Sequence, residues 1–110
     1  MQWHRLCPVE AIPMGGMRGF AAGGRRIVVC RCDDGLFALD DECPHATALL
    51  HEGRLRGRVL SCPMHGARFD VRDGRVLRGP ATEPLTRWQV RESDGHVDVL
   101  LQARESTSGS

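Results

Sequence analysis

CPHATALL, residues 43–50, sets a cysteine and a histidine two residues apart around a proline. CPMHGARFD, residues 62–70, repeats the device with one more residue between the pair. As spacing, this is Cys43-x-His45, a gap of sixteen residues, then Cys62-x-x-His65. Each loop offers one thiolate and one imidazole. Four soft or borderline donors in two tight pairs point to a metal site.

Around these loops the chain reads as β-structure. No window holds a helical period over several turns, and 13 Gly and 6 Pro punctuate the sequence. Short β-like runs recur instead. RRIVVCRC (25–32) and LFALDD (36–41) flank Asp33-Asp34-Gly35. ARFDV (67–71) and RVLRG (75–79) flank Asp73-Gly74, and TRWQVRE (86–92) and HVDVLL (96–101) flank Asp94-Gly95. Each Asp-Gly supplies the positive φ of a tight hairpin turn. Three hairpins in so short a chain predict an all-β antiparallel sandwich or small barrel. In the last strand, Val97, Val99 and Leu101 share one face, opposite His96, Asp98 and Leu100; Trp88 and Val90 alternate with Arg87, Gln89 and Arg91. GPATEP (79–84) is excluded from a strand by Pro80 and Pro84.

Which metal the loops take follows from how they mix their donors. Zinc accepts two cysteines and two histidines, but its fingers pair Cys with Cys on a hairpin and His with His on a helix. Here each loop carries one of each, and the second has no helical character. Mixed pairs suit a two-iron cluster better, with Cys43 and Cys62 on one iron and His45 and His65 on the other.

CPH, a sixteen-residue gap and CPMHG together resemble the Rieske [2Fe–2S] motif. The resemblance covers most of the chain, because the flanking hairpins and GPATEPL sit where soluble Rieske ferredoxins have them. It implies a Rieske fold: a β base from residues 1–42 and 81–105, a cluster-binding subdomain from 43–80 inserted between them, and a disordered tail, 106–110. It implies one [2Fe–2S] cluster held by Cys43, His45, Cys62 and His65. Two thiolates leave the oxidised cluster formally neutral, so its potential lies above that of all-Cys clusters, at roughly −150 to +300 mV. Reduction raises the pKa of the imidazoles' outer N–H, coupling electron and proton at alkaline pH. High-potential relatives place a serine and a tyrosine after the second loop and tie the loops with a disulfide. The matching positions here are Ala67, Phe69, Ala48 and Met64, which implies a low-potential, disulfide-free type. Pro80 resembles the proline of a third loop that covers the cluster.

The function implied is a one-electron carrier and not an enzyme. A NAD(P)H-dependent flavoprotein reductase would load it, and a terminal Rieske non-haem iron oxygenase, typically one that hydroxylates aromatic rings, would unload it. His45 and His65 would form the exposed electron door, ringed by Ala46, Thr47, Met64 and Pro80. The alternative, a small Rieske-like subunit of a stable complex such as assimilatory nitrite reductase, is disfavoured because all four ligand positions are filled.

The bulk properties agree with a small carrier. The 110 residues suffice for one domain, and there is no Gly-rich phosphate loop and no second metal constellation. A net charge of +1 argues against a nucleic-acid partner. No apolar run approaches the ~20 residues of a membrane span, and the N-terminus lacks the layout of a signal peptide, so a cytoplasmic monomer with transient partners is expected. Cys7, Cys30 and Cys32 read as small buried hydrophobes. His4, His51 and His96 read as surface or structural histidines, His51 lying between the two loops. All 15 basic residues other than histidine are arginine. Seven of these fall in 51–80, and five acids (Asp33, Asp34, Asp40, Asp41 and Glu42) fall in 33–42. These blocks are either two solvated faces or a charged surface that steers a partner.

Overall fold

The chain turns back on itself at each of its Asp-Gly steps. The computed structural model describes residues 1–44, 47–64, 66–79 and 83–102. Its strands are β1 (Gln2–Pro8), β2 (Met17–Ala22), β3 (Arg25–Cys32), β4 (Gly35–Asp40), β5 (Arg54–Arg56), β6 (Val59–Ser61), β7 (Arg68–Asp70), β8 (Val76–Arg78), β9 (Arg87–Ser93) and β10 (His96–Leu101). Two short 3-10 turns, Val9–Ala11 and Leu50–Glu52, complete the described elements, and no α-helix occurs among them. The three expected hairpins, β3–β4, β7–β8 and β9–β10, all form. At Asp94-Gly95 both residues take positive φ, 55° and 74°, the combination a two-residue hairpin turn requires. Gly23-Gly24, with φ of 58° and 73°, makes a turn of the same kind between β2 and β3. AAGG carries no alternation of its own, so this hairpin leaves no periodic signal in the sequence.

All pairings are antiparallel and build two sheets. Six strands run in the order β1-β10-β9-β4-β3-β2, and the edge strands β1 and β2 touch, so this sheet curls into a nearly closed barrel. Four short strands, β5-β6-β7-β8, form the second sheet. By chain order it lies between β4 and β9.

β3 divides the hydrophobic interior. Side chains alternate along a strand. Ile27 and Val29 face a core with Ile12, Ala38, Trp88, Val97, Val99 and Leu101. Val28, Cys30 and Cys32 face a second core with Leu39, Leu50, Leu60, Phe69, Val71 and Leu85, which also contains Cys43 and Cys62. A strand buried on both faces reads as the unbroken apolar run IVVC. Cys7, Cys30 and Cys32 are buried free thiols, as expected, and burial raises the pKa of each.

Several charges behave otherwise than their sequence positions imply. Asp98 does lie on the face opposite Val97 and Val99, yet it is buried. Its cross-strand neighbours Arg5 and Arg91 close over it with nitrogens at 3.0 and 3.1 Å. The acidic block 33–42 is not one face. Asp34 pairs with Arg58 at 2.8 Å, Asp40 accepts the Trp88 indole N–H at 2.7 Å, and buried Asp41 pairs with His51. Consecutive acids on a turn and a strand end point different ways, so a run in sequence is dispersed in space.

Asp70 pins the hairpin that leaves the second loop. Its carboxylate accepts the backbone N–H of Arg72 at 2.9 Å and two bonds from the Arg72 guanidinium at 3.1 and 2.8 Å. Arg72 therefore holds the Asp70 pKa down at about 2, against an unfolded value near 3.9. A depressed carboxylate stabilises the fold above its unfolded pKa, and the contribution fades as pH falls towards 2. Asp70→Asn is expected to cost on the order of 2 kcal/mol at pH 7. Urea titrations should show the gap to wild type closing steadily below pH 4; a gap independent of pH would mean that Asp70 acts through shape and not charge.

Candidate metal centre

Each cysteine loop is closed by the same hydrogen bond. The Cys43 N–H donates to the carbonyl of Ala48 at 3.0 Å, and the Cys62 N–H to that of Ala67 at 2.8 Å. In both, the donor is the cysteine and the acceptor is an alanine five residues on. The proline after each cysteine has no N–H to compete for that carbonyl. Gly66 sits at φ 73°, which lets the second loop double back before Ala67.

The first loop is anchored more widely. Glu42 bridges to Leu49, and the Leu50 N–H donates to the Asp41 carbonyl at 2.7 Å. The His51 N–H donates to the Asp41 carboxylate at 2.7 Å, and the His51 ring Nδ1 lies 2.5 Å from its other oxygen. The pair packs on β2 at Gly19, where any side chain would collide with the His51 ring and the carboxylate. His51 is thus a structural histidine that clamps the loop. Sequence reasoning missed the role of Asp41, because no periodic signal links an acid to a histidine ten residues on.

The two loops bring their thiols together. Cys43 and Cys62 are 6% and 4% exposed and unpaired by disulfide. Burial raises the Cys62 pKa, the Met64 backbone amide beside its sulfur lowers it, and the Cys43 thiol in hydrogen-bond contact raises it. Two adjacent buried sulfurs, one with an amide aimed at it, fit thiolate ligation of a single iron, where the metal offsets the burial of negative charge. His45 and His65 lie outside the described residues, as do Ala46 and Pro80. Of the four ligands expected from the sequence, only Cys43 and Cys62 therefore fall among the described residues. Thr47 and Met64 are exposed beside them, and Ala67 and Phe69 are fully buried beneath them. Ala48 and Met64 carry no thiol, so no disulfide can join the loops there.

Two buried, adjacent cysteines at the bases of two loops in an antiparallel β-protein fit an iron–sulfur domain. The chain belongs to the Rieske [2Fe-2S] domain family, whose pattern matches residues 2–89. It is 35% identical over 98 residues to the anthranilate 1,2-dioxygenase ferredoxin subunit of Burkholderia cepacia, covering 89% of this chain and 91% of that protein. The ferredoxin of carbazole 1,9a-dioxygenase from Nocardioides aromaticivorans IC177 superposes with a TM-score of 0.88 at 26% identity, over 93% of this chain and all of that one. A chain from a complex of reduced oxygenase and oxidised ferredoxin in carbazole 1,9a-dioxygenase superposes with a TM-score of 0.85 at 32% identity, over 94% and 97% of the two chains.

Gly53 is where the loops' supports meet. A Cβ there would strike the Ser61 carbonyl and come within 3.1 Å of the Pro63 nitrogen, on either side of Cys62. Gly53→Ala is expected to lose about 1–3 kcal/mol, the cost of forcing backbone apart in a packed region. Denaturant melts and the visible absorption of the purified protein would read it; wild-type values in both would mean that the Ser61 strand can move aside.

Proposed function

We propose that the protein is a one-electron carrier whose Cys43 and Cys62 hold one iron of a [2Fe–2S] cluster and whose His45 and His65 hold the other. It receives electrons from a NAD(P)H-dependent flavoprotein reductase and passes them to a terminal Rieske non-haem iron oxygenase that hydroxylates aromatic rings. The observation that carries this reading is the pair of buried, adjacent, unbridged thiols, each in a loop closed by its own backbone N–H. The ferredoxin relatives of dioxygenase systems support the choice of partners.

When bound, such a cluster supplies reversible one-electron chemistry at a potential that its ligands and their hydrogen bonds set. The chain's own residues do the rest. Cys43 and Cys62 keep water from the sulfur side by burial. Ala67 and Phe69 offer no side-chain donor to that side, which keeps the potential low. Exposed Thr47 and Met64 leave a small uncharged rim beside the loops, suited to brief encounters. Residues 43–80 act as the cluster-binding part, and the strands of 1–42 and 81–105 as its base. No described helix is long and apolar enough to cross a membrane, which is consistent with a cytoplasmic carrier.

The purified protein should be red-brown, contain sulfide, and give a voltammetric wave at about −150 mV, the low end of the Rieske range. A colourless, zinc-loaded protein with no wave would sink the reading, and a potential near the top of the range would direct the search to a different acceptor. His65→Cys should lower the potential and alter the visible spectrum, since a thiolate adds negative charge to the centre. An unchanged spectrum would remove His65 from the ligand set.

A further inference from the structure

The outer face of the β5–β8 sheet carries a row of cations. Register sets Arg54 opposite Ser61, Ser61 opposite Arg68, and Arg68 opposite Arg78, so one line of side chains crosses all four strands. Arg56 lies two residues from Arg54, on the same face. The inner face carries the matching apolar row Leu55, Leu60, Phe69 and Val76. All four arginines are exposed, and none has an ion-pair partner among the described residues. The carboxylates of this region are committed elsewhere, Asp34 to Arg58 and Asp70 to Arg72 and Arg75. Glu52 shares a hollow with Arg54 and makes no ion pair with it.

Like charges directly opposite each other in a sheet repel, so Arg68 facing Arg78 costs stability. The backbone departs from regularity to place them so. β8 pairs Val76 with Phe69 and Arg78 with Arg68, which leaves Leu77 as an extra, bulged residue. In a regular strand Arg78 would share the inner face of Val76; the bulge turns it outward. The row also borders the cysteine loops. Ser61 precedes Cys62, Arg68 follows Ala67, and Arg54 lines one hollow with Cys62 and Pro63. Arg54, Arg56, Val59, Ser61 and Arg68 together line a depression of about 430 Å³.

We infer that this arginine face docks an acidic surface, rich in Asp and Glu, of a protein that exchanges electrons with the carrier. The inference deepens the reading given under Proposed function, and rests on it for the partner's role. Planar guanidinium forks match carboxylates two bonds at a time. A patch of unpaired charge speeds encounter and orients it without tight binding, as a shuttle between partners needs. A nucleic-acid partner fits less well, because the chain's net charge is only +1. A second copy also fits less well, because Asp34, Asp40 and Asp41 of the acidic block already have partners and Glu42 is not free either.

The test uses poly-L-glutamate as the acidic probe and the intact holoprotein. Arg68→Gln/Arg78→Gln is compared with Arg18→Gln/Arg87→Gln, an exposed pair on the six-stranded sheet that removes the same net charge. The face variant should bind the probe roughly threefold to tenfold more weakly, with a shallower salt dependence and an unchanged visible spectrum. The control variant should bind as wild type. Equal loss in both variants, or in neither, would overturn the inference while leaving the carrier reading intact. Tighter binding to a DNA duplex, lost in the face variant alone, would overturn it in favour of nucleic acid. A dimer in sedimentation that dissociates in the face variant would overturn it in favour of a second copy. Wild-type protein with no cluster spectrum would remove the carrier reading, and the partner's role with it.

Discussion

The cysteine N–H that donates to the carbonyl five residues on is the constraint around which this molecule is arranged. It occurs twice, at Cys43 and at Cys62, and it sets the shape of each loop before any metal is considered. Two sulfurs from different loops can share one iron only if both loops keep a fixed form and a fixed separation. The hydrogen bond supplies the form. The cluster-side core supplies the separation, because Leu50 follows the first loop while Leu60 and Phe69 flank the second, and all three pack in that core with the cysteines. The clamp of Asp41 on His51 and the close approach at Gly53 serve the same end. Each would be an odd investment in a loop free to move.

A second theme is the economy of β3. Its two faces belong to two cores, so the barrel and the small sheet share one wall. The barrel has an apolar core of its own, in which Ile27, Val29, Val97, Val99 and Leu101 are fully buried. The small sheet has four strands of only three residues each, and half of the pair of cores depends on it. Its hairpin is pinned by the network of Asp70 with Arg72, and its outer face bears arginines with no ion-pair partner among the described residues. Stability and exposure of charge are thus set against each other in the part of the molecule that carries the cysteines. Such conflicts are expected where function constrains a fold.

Much of this was legible in the sequence. Three hairpins followed from Asp-Gly steps between alternating runs, because the chain reverses where a glycine can take positive φ, as Gly35, Gly74 and Gly95 all do. The burial of Cys30 and Cys32 followed from their sharing a strand face within an apolar run. The paired cysteine loops followed from spacing alone, since donors fixed at short range need no tertiary argument. The β2–β3 hairpin and the three-residue strands β5 and β6 did not emerge, because they are too short or too rich in Gly to show a period, and β1 did not because QWHRLCP does not alternate apolar with polar residues.

What the amino-acid order determined was local: which turns close, which faces are apolar, and which side chains can donate to a metal. Tertiary structure alone decided how distant residues meet. It buried Asp98 between Arg5 and Arg91, sent neighbouring acids at 34, 40 and 41 to different partners, and set Arg54, Arg68 and Arg78 in one line. The reason is physical. Turn conformation and alternation depend on a few adjacent dihedral angles, whereas pairing across strands depends on register, and one bulge at Leu77 is enough to move a charge from the core face to the surface.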